Sequence, residues 1–263
     1  MLKVGRWVRG KKNEPMVLND INVVISTVGR EEDYLGETLN SLSVDQSISE
    51  DNPVCLVAGS PVTTHLDRYR TESGISIIEM GPSTWSWIKD SSVLKRSAWN
   101  CYRCLTQPKA GIRGTLALED DIHFARGWRA RFSATLTELE RHHGLDFVLA
   151  VYSPWLSATE EHNYGKLSVE YPPEKFLGLQ GIYYTSRTRQ GFAKYLKIHG
   201  LVVLEKAHDL LLGDYLAREG IPLFATSPSL VQHIGKKSSL ESQWHDSQLF
   251  MEDVTVLPSE HLP

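Results

Sequence analysis

Cysteine is scarce in this sequence, no long hydrophobic run occurs, and neither sign of charge dominates. Each shortage excludes a class of protein. Cys55, Cys101 and Cys104 are the three cysteines among 263 residues, too few and odd in number for a disulfide framework, which predicts a reduced, cytoplasmic protein. Cys101 and Cys104 are spaced like half of a zinc ribbon, but no second Cys or Cys/His pair follows, so they read as small buried hydrophobes on a helix. No segment has the apolar core of a signal peptide or the length of a transmembrane span. Residues 1–12 instead carry Lys3, Arg6, Arg9, Lys11 and Lys12, and read as a solvated basic start, with contact to a membrane surface or a partner as the alternative. The net charge is −4 and the cations are scattered, which argues against nucleic acid as a partner. Linkers, repeats and low-complexity tracts are absent too. With 41% hydrophobic and 23% charged residues, the expectation is one domain over 1–263, with 1–19 a flexible basic terminus and 241–263 a tail.

What is present is an alternation of strand-length apolar runs with segments of helical period, the pattern of an α/β protein with a mostly parallel sheet flanked by helices. Strands are predicted over 21–27, 54–58, 75–80, 114–118, 147–152, 181–185 and 222–225, and helices over 31–43, 91–106, 126–142, 187–198 and 206–219. The first three strands and their helices make a Rossmann-like beginning. Residues 155–173 have no clean period and read as a long functional loop.

The acids Glu119, Asp120 and Asp121 end the strand over 114–118, and open α/β sheets bind ligands beyond the carboxyl ends of their strands. Adjacent carboxylates repel one another, so such a triplet is tolerated either in water, as a polar turn before the next helix, or around a divalent cation shared with a diphosphate. Asp209 and Asp214 lie on a late helix, and His233 follows the last strand. Carboxylates with an imidazole form a mixed donor set suited to manganese. A hydrogen-bonded structural histidine and an N-terminal helix acid are the plain alternatives for His233 and Asp209.

Three blocks carry a resemblance: Val24-Ile-Ser-Thr-Val-Gly-Arg30, Leu116-Ala-Leu-Glu-Asp-Asp-Ile122, and Ser227-Pro-Ser-Leu-Val-Gln-His-Ile-Gly-Lys-Lys-Ser-Ser-Leu240. They resemble GT-A glycosyltransferases and, within that fold, are similar to the N-acetylglucosaminyltransferase IV family, which branches N-glycans in the secretory pathway. The resemblance implies a mixed, mostly parallel GT-A sheet and a Mn2+ (or Mg2+) ion held by Asp121 and His233. It also implies a nucleotide-sugar donor, UDP-linked N-acetylglucosamine, contacted by Thr27, Val28, Gly29, Arg30, Arg96, Asn100, Glu119, Asp120, Ser238 and Ser239. The membrane anchor and extra C-terminal region of the Golgi enzymes are not expected here, so the acceptor implied is a glycan, glycolipid or protein met inside a cell.

Sugar transfer with inversion needs one carboxylate as general base. Asp209 is the first candidate and Asp214 the second; five residues apart on a helix, they are rotated by roughly 140°, so both are not expected to face one substrate. Trp155, Gln180, Gly181 and Tyr183 are the expected acceptor contacts, because aromatic rings pack on sugar faces and a glycine admits close approach. Tyr183 and Tyr184 point to opposite sides of a strand, and Trp85 and Trp87 would share a face if 83–88 were extended. Two rival functions remain: a nucleotide-sugar or glycan binding module without turnover, and a metal-dependent phosphoryl hydrolase or nucleotidyltransferase using the same acids.

Overall fold

β-branched residues dominate Ile21–Thr27 and little of the segment is exposed, as in a strand covered on both faces. This strand, β1, is followed by α1 (Tyr34–Ser43), β2 (Val54–Ala58), β3 (Ile75–Ile78), α2 (Pro82–Ile88), α3 (Val93–Thr106), β4 (Gly114–Glu119) and β5 (Ile122–Phe124). Then come α4 (Trp128–His143), β6 (Val148–Ala150), β7 (Ser168–Tyr171), β8 (Gly181–Thr185), α5 (Ser186–Ile198), α6 (His208–Glu219), β9 (Leu223–Thr226) and β10 (Val231–His233). The computed structural model describes residues 20–45, 47–107, 113–154, 166–203, 206–236 and 247–255. None of the helices among these residues is long and apolar enough to cross a membrane.

Eight strands form one sheet in the order β3-β2-β1-β4-β8-β6-β9-β7, and β5 pairs with β10 in a separate antiparallel ribbon. Strands β3, β2, β1 and β4 run parallel, as do β6 and β9; β8 opposes both of its neighbours and β7 opposes β9. The fold is thus mixed α/β with a mostly parallel sheet. Its register brings the carboxyl ends of β1, β2 and β4 to the same edge as the amino end of β8, where Glu119 N–H donates to the Gln180 carbonyl at 3.1 Å.

Helices cover both faces. On one, Leu35, Leu39 and Leu42 of α1 and Trp128, Phe132 and Leu136 of α4 pack on Val23, Ile25, Leu116, Leu118 and Tyr183. On the other, Phe192 and Leu196 of α5 and Leu212 and Leu216 of α6 pack on Val148, Ile182, Tyr184 and Leu223. Cys55 and Cys104 fill a small cluster with Val24 and Val57, and burial raises both thiols above their usual range. Side chains cap three helix starts, which lie three and two residues inside the predicted limits for α1 and α3 and one residue outside for α5: Asp33 accepts from Gly36 N–H (3.1 Å), Ser92 from Lys95 N–H (3.2 Å) and Thr185 from Thr188 N–H (3.3 Å).

Two local expectations fail. Residues 82–88 form α2 instead of an extended run, so Trp85 and Trp87 diverge: Trp87 packs edge-on against Trp99 at 5.3 Å between ring centres, and Trp85 turns to a cleft. Pro82 at the first helical turn explains the helix, because its fixed φ suits that position. Part of the predicted loop 155–173 is β7, recruited by pairing with β9 from Ser168 to Tyr171; 155–165, with Trp155, lies outside the described residues.

Arg103 of α3 ties the ends of β2 and β3 together. Its buried guanidinium donates to the carbonyls of Ala58 (2.5 Å), Ile78 (3.1 Å) and Glu79 (2.7 Å). Leucine in its place would leave these acceptors dry and unbonded, so Arg103→Leu is expected to lower the unfolding free energy by about 2–4 kcal/mol in urea titrations. A loss below about 1 kcal/mol would show that water replaces the guanidinium.

Candidate functional site

A cleft of about 670 Å³ opens at the edge where these strand ends meet. Ser26, Val28 and Arg30 follow from β1, Gly59 and Ser60 from β2, and Glu119, Asp120 and Asp121 from β4. Trp85, Arg96, Asn100, Gln180, His208, Asp209 and His233 line it around these strand ends, with Ser97 Oγ of α3 3.5 Å from His208 Nδ1 of α6.

Asp120 and Asp121 are buried, with 3% and 4% of their surface exposed, so their charges need local compensation. Asp120 Oδ2 accepts from Thr27 Oγ1 (2.7 Å) and Val28 N–H (3.0 Å), and its Oδ1 meets Arg30 at 3.1 Å. Asp121 Oδ2 accepts from Arg30 Nη1 at 2.5 Å and faces His233 Nε2 at 3.3 Å. Thr38 of α1 fixes the turn between β4 and β5: its hydroxyl donates to the carbonyls of Asp120 (2.9 Å) and Ile122 (2.7 Å) and accepts from Ile122 N–H (3.1 Å).

His233 reaches this turn because β10 pairs with β5 in a register that sets His233 opposite Ile122, and Ile234 N–H donates to the Asp121 carbonyl at 2.9 Å. Arg131 of α4 holds the entry to this segment through the Ser227 carbonyl at 2.6 Å. Gly235 allows the close approach, since a Cβ there would strike Asp121 Oδ2 and the His233 ring. Glu119, Asp121 and His233 each offer a donor atom within 4.8 Å of the others, a set able to hold a cation. Asp121 Oδ1 is buried without a hydrogen-bond partner among the described residues.

Desolvation at the cleft floor, with Asp121 and Asp120 adding repulsion, pushes Glu119 up to about 8. Burial also lifts Asp120 to about 6 against the pull of Arg30. Asp121 moves the other way: burial is overcome by the His233 hydrogen bond and the Arg30 charge, and its carboxyl falls below the ordinary range. Arg30 is raised, because Asp120 and Asp121 outweigh the cost of its burial.

The remaining sequence-predicted residues divide. Thr27 supports Asp120 from below and Gly29 lies against the His65 ring, so neither lines the cleft. Arg96 lines it while donating to the carbonyls of Ser91 (2.6 Å) and Lys89 (3.3 Å); Asn100 lines it with its amide held by Ser26 Oγ. Asp209 faces the cleft, with Oδ2 accepting from Gly178 N–H (3.1 Å) and Oδ1 from Leu210 N–H (2.8 Å). Asp214 does not: its exposed carboxylate pairs with Lys206 at 2.7 Å, as the rotation along α6 requires. Gln180 is a cleft residue.

Tyr183 is a correction, because it is fully buried against Phe132 and Phe147 in the α4-side core. Gly181 packs beneath Val151 and Leu118 inside the sheet and is likewise no acceptor contact. Helices on both faces leave neither side of β8 free. Ser238, Ser239 and Trp155 lie outside the described residues. Thr38, Ser26, His208 and Gly235 join the site without having been singled out; Ser26 and Gly235 had a signal, their places in the blocks around Thr27 and His233.

The raised Glu119 makes metal-free stability depend on pH. In the unfolded chain this carboxyl titrates near 4.5 and in the fold near 8, so its contribution is complete below about 4.5 and is lost as pH climbs through 8. Glu119→Gln, measured by thermal melting in chelator, is therefore expected to gain on the wild type steadily between about pH 5 and 8. A constant difference across that range would mean that Glu119 ionises without cost.

No family model and no curated protein matches the sequence. Solved structures do match. The crystal structure of S. aureus TarS 1-349 superposes with a TM-score of 0.51 at 15% identity, covering 79% of this chain and 58% of that one. The crystal structure of S. aureus TarS gives 0.48 at 14% identity, covering 78% and 34%. This chain therefore spans less than two thirds of either neighbour. At such identity the likeness speaks for architecture, and the architecture it establishes is that of a GT-A-type glycosyltransferase fold.

Proposed function

We propose that this chain is a metal-dependent, inverting glycosyltransferase that moves a sugar from a nucleoside diphosphate to a hydroxyl of a glycan, glycolipid or protein. UDP-N-acetylglucosamine is the proposed donor, on the similarity of the three sequence blocks to the N-acetylglucosaminyltransferase IV family. The proposed setting is the cytoplasm, from the cysteine usage. The observation that carries the reading is the convergence of Glu119, Asp121 and His233 within 4.8 Å at the cleft floor of a GT-A-type sheet.

Mn2+ or Mg2+ suits these residues. Two carboxylates and an imidazole form an acceptable donor set, and the unpartnered Asp121 Oδ1 leaves a buried lone pair for a cation. Asp121 and His233 would hold the ion, with Glu119 beside them; when bound it supplies electrostatic stabilisation of the diphosphate leaving group. Asp120, fixed by Thr27 and Val28, is suited to the donor ribose, and Val28, Arg96 and Asn100 to the nucleoside.

Asp209 is the proposed base. Its oxygens already accept backbone N–H groups, which orient the carboxylate, and each keeps a further lone pair for the proton of an acceptor hydroxyl. That hydroxyl oxygen would attack the anomeric carbon from the face opposite the departing diphosphate. Gln180, which lines the same cleft, is the proposed acceptor contact.

One observation favours a second reading. Because Asp209 anchors the loop at Gly178, whose φ of 94° suits glycine, it could serve as a clamp in a binding module without turnover. Asp209→Asn separates the two: as a base it is expected to lower kcat by about 10²–10⁴-fold with little change in donor affinity. Unchanged turnover would leave Asp209 a clamp.

Calorimetry with UDP tests the metal. Binding is expected with Mn2+ and not in chelator, and Asp121→Ala or His233→Ala should abolish the metal-dependent part while the proteins still melt cooperatively. Equal affinity in chelator would refute a metal-bridged donor. Products of UDP-N-acetylglucosamine identify the reaction: UDP with a glycoside for transfer, UMP with a sugar phosphate for phosphoryl cleavage.

A further inference from the structure

Arg30 already occupies the cationic role in this cleft. Its guanidinium spans two buried acids, with Nη2 3.1 Å from Asp120 Oδ1 and Nη1 2.5 Å from Asp121 Oδ2, and its side chain is only 21% exposed. Asp121 Oδ2 is also the atom that His233 Nε2 faces at 3.3 Å, so Arg30 and the imidazole converge on one carboxylate oxygen. The guanidinium carbon lies 5.5 Å from the Tyr34 ring centre, and the Tyr34 hydroxyl accepts from Lys236 N–H at 3.2 Å. Arg30 is thereby packed against the residue that tethers the end of the His233 segment.

We infer that Arg30 is a built-in counter-cation, which neutralises the acidic pair and must be displaced when a divalent metal binds there. This rests on the metal-dependent reading above. A guanidinium and a dication attached to the same carboxylate repel strongly in a partly dry cleft, so they do not share Asp121 at full strength. The metal binds at the expense of the Arg30 ion pairs, and its affinity for the protein alone is low for that reason. Arg30 has somewhere to go: it lines both the main cleft and an adjoining recess of about 230 Å³ bounded by Glu32, Asp33 and His65. A nucleoside diphosphate entering with the metal offers the displaced guanidinium new anionic oxygens in the fork geometry it prefers. Arg30 thus opposes metal alone and favours metal with nucleotide, coupling the two binding events.

The test is a titration of the full chain with Mn2+ alone, reading free Mn2+ by electron paramagnetic resonance, for wild type, Arg30→Gln and Arg30→Ala. Both variants are expected to bind Mn2+ at least about tenfold tighter than wild type, a change equivalent to ~1.4 kcal/mol. With Mn2+ saturating, both should bind UDP more weakly than wild type in calorimetry. Arg187→Ala, which removes an equal charge from a surface ion pair with Asp146 and lines neither the cleft nor the recess, should leave Mn2+ affinity unchanged; an equal tightening there would assign the effect to overall charge and overturn the inference. If wild type and the Arg30 variants bind Mn2+ equally, or the variants bind it more weakly, Arg30 is not a displaced counter-cation although the metal site stands. If none binds Mn2+, the metal reading and this inference fail together. Thermal melting of each variant separates these results from loss of the fold.

Discussion

Buried like charges constrain this molecule more than any other feature. Two carboxylates about 4 Å apart repel by roughly 4 kcal/mol at an effective dielectric near 20, and β4 ends in three in a row. Everything around that turn answers this repulsion. Thr27, Val28 and Arg30 bring donors and a positive charge from β1, Thr38 holds the turn from α1, and His233 arrives on β10. The three acids emerge unequal: Glu119 pushed up to about 8, Asp120 to about 6, and Asp121 pulled down by its partners. Asp121 is therefore the member best suited to remain charged.

Sheet order makes that arrangement achievable. Because β1 and β4 are parallel neighbours, their carboxyl ends meet, and the donors after β1 fall directly beside the acids after β4. Reversal of β8 brings Gln180 to the same edge, and the turn before it sets the Gly178 N–H against Asp209. The small ribbon of β5 and β10 adds the imidazole. Arg103, Arg131 and the caps hold the connecting ends, so the cleft is built on strand termini whose positions are over-determined by both cores.

Trp85, Arg96, Asn100, Gln180, His208 and Asp209 line the cleft around its acidic floor, and Asp209 adds to the repulsion on Glu119. His208 is buried, and burial lowers its pKa, so it contributes a neutral ring next to the exposed edge of Asp209.

The sequence by itself determined the α/β class, seven of the ten strands among the described residues, the five longer helices and the acidic turn, because those features are written in local period and in side chains adjacent along the chain. Asp214's divergence from Asp209 was also legible, being a matter of helical rotation alone. Tertiary structure decided the rest. Tyr183 looked available on a short strand, but whether a strand face meets solvent or a second helical layer depends on elements far away, here α4. β7 became a strand only through β9, and β10, three residues long, has too few positions for any period to appear. Thr38 and Arg30 carried no pattern that marked one as the clamp of the acidic turn and the other as its counter-charge. Their roles arise from through-space contacts across 82 and 91 positions of chain, and only the folded sheet brings those residues together.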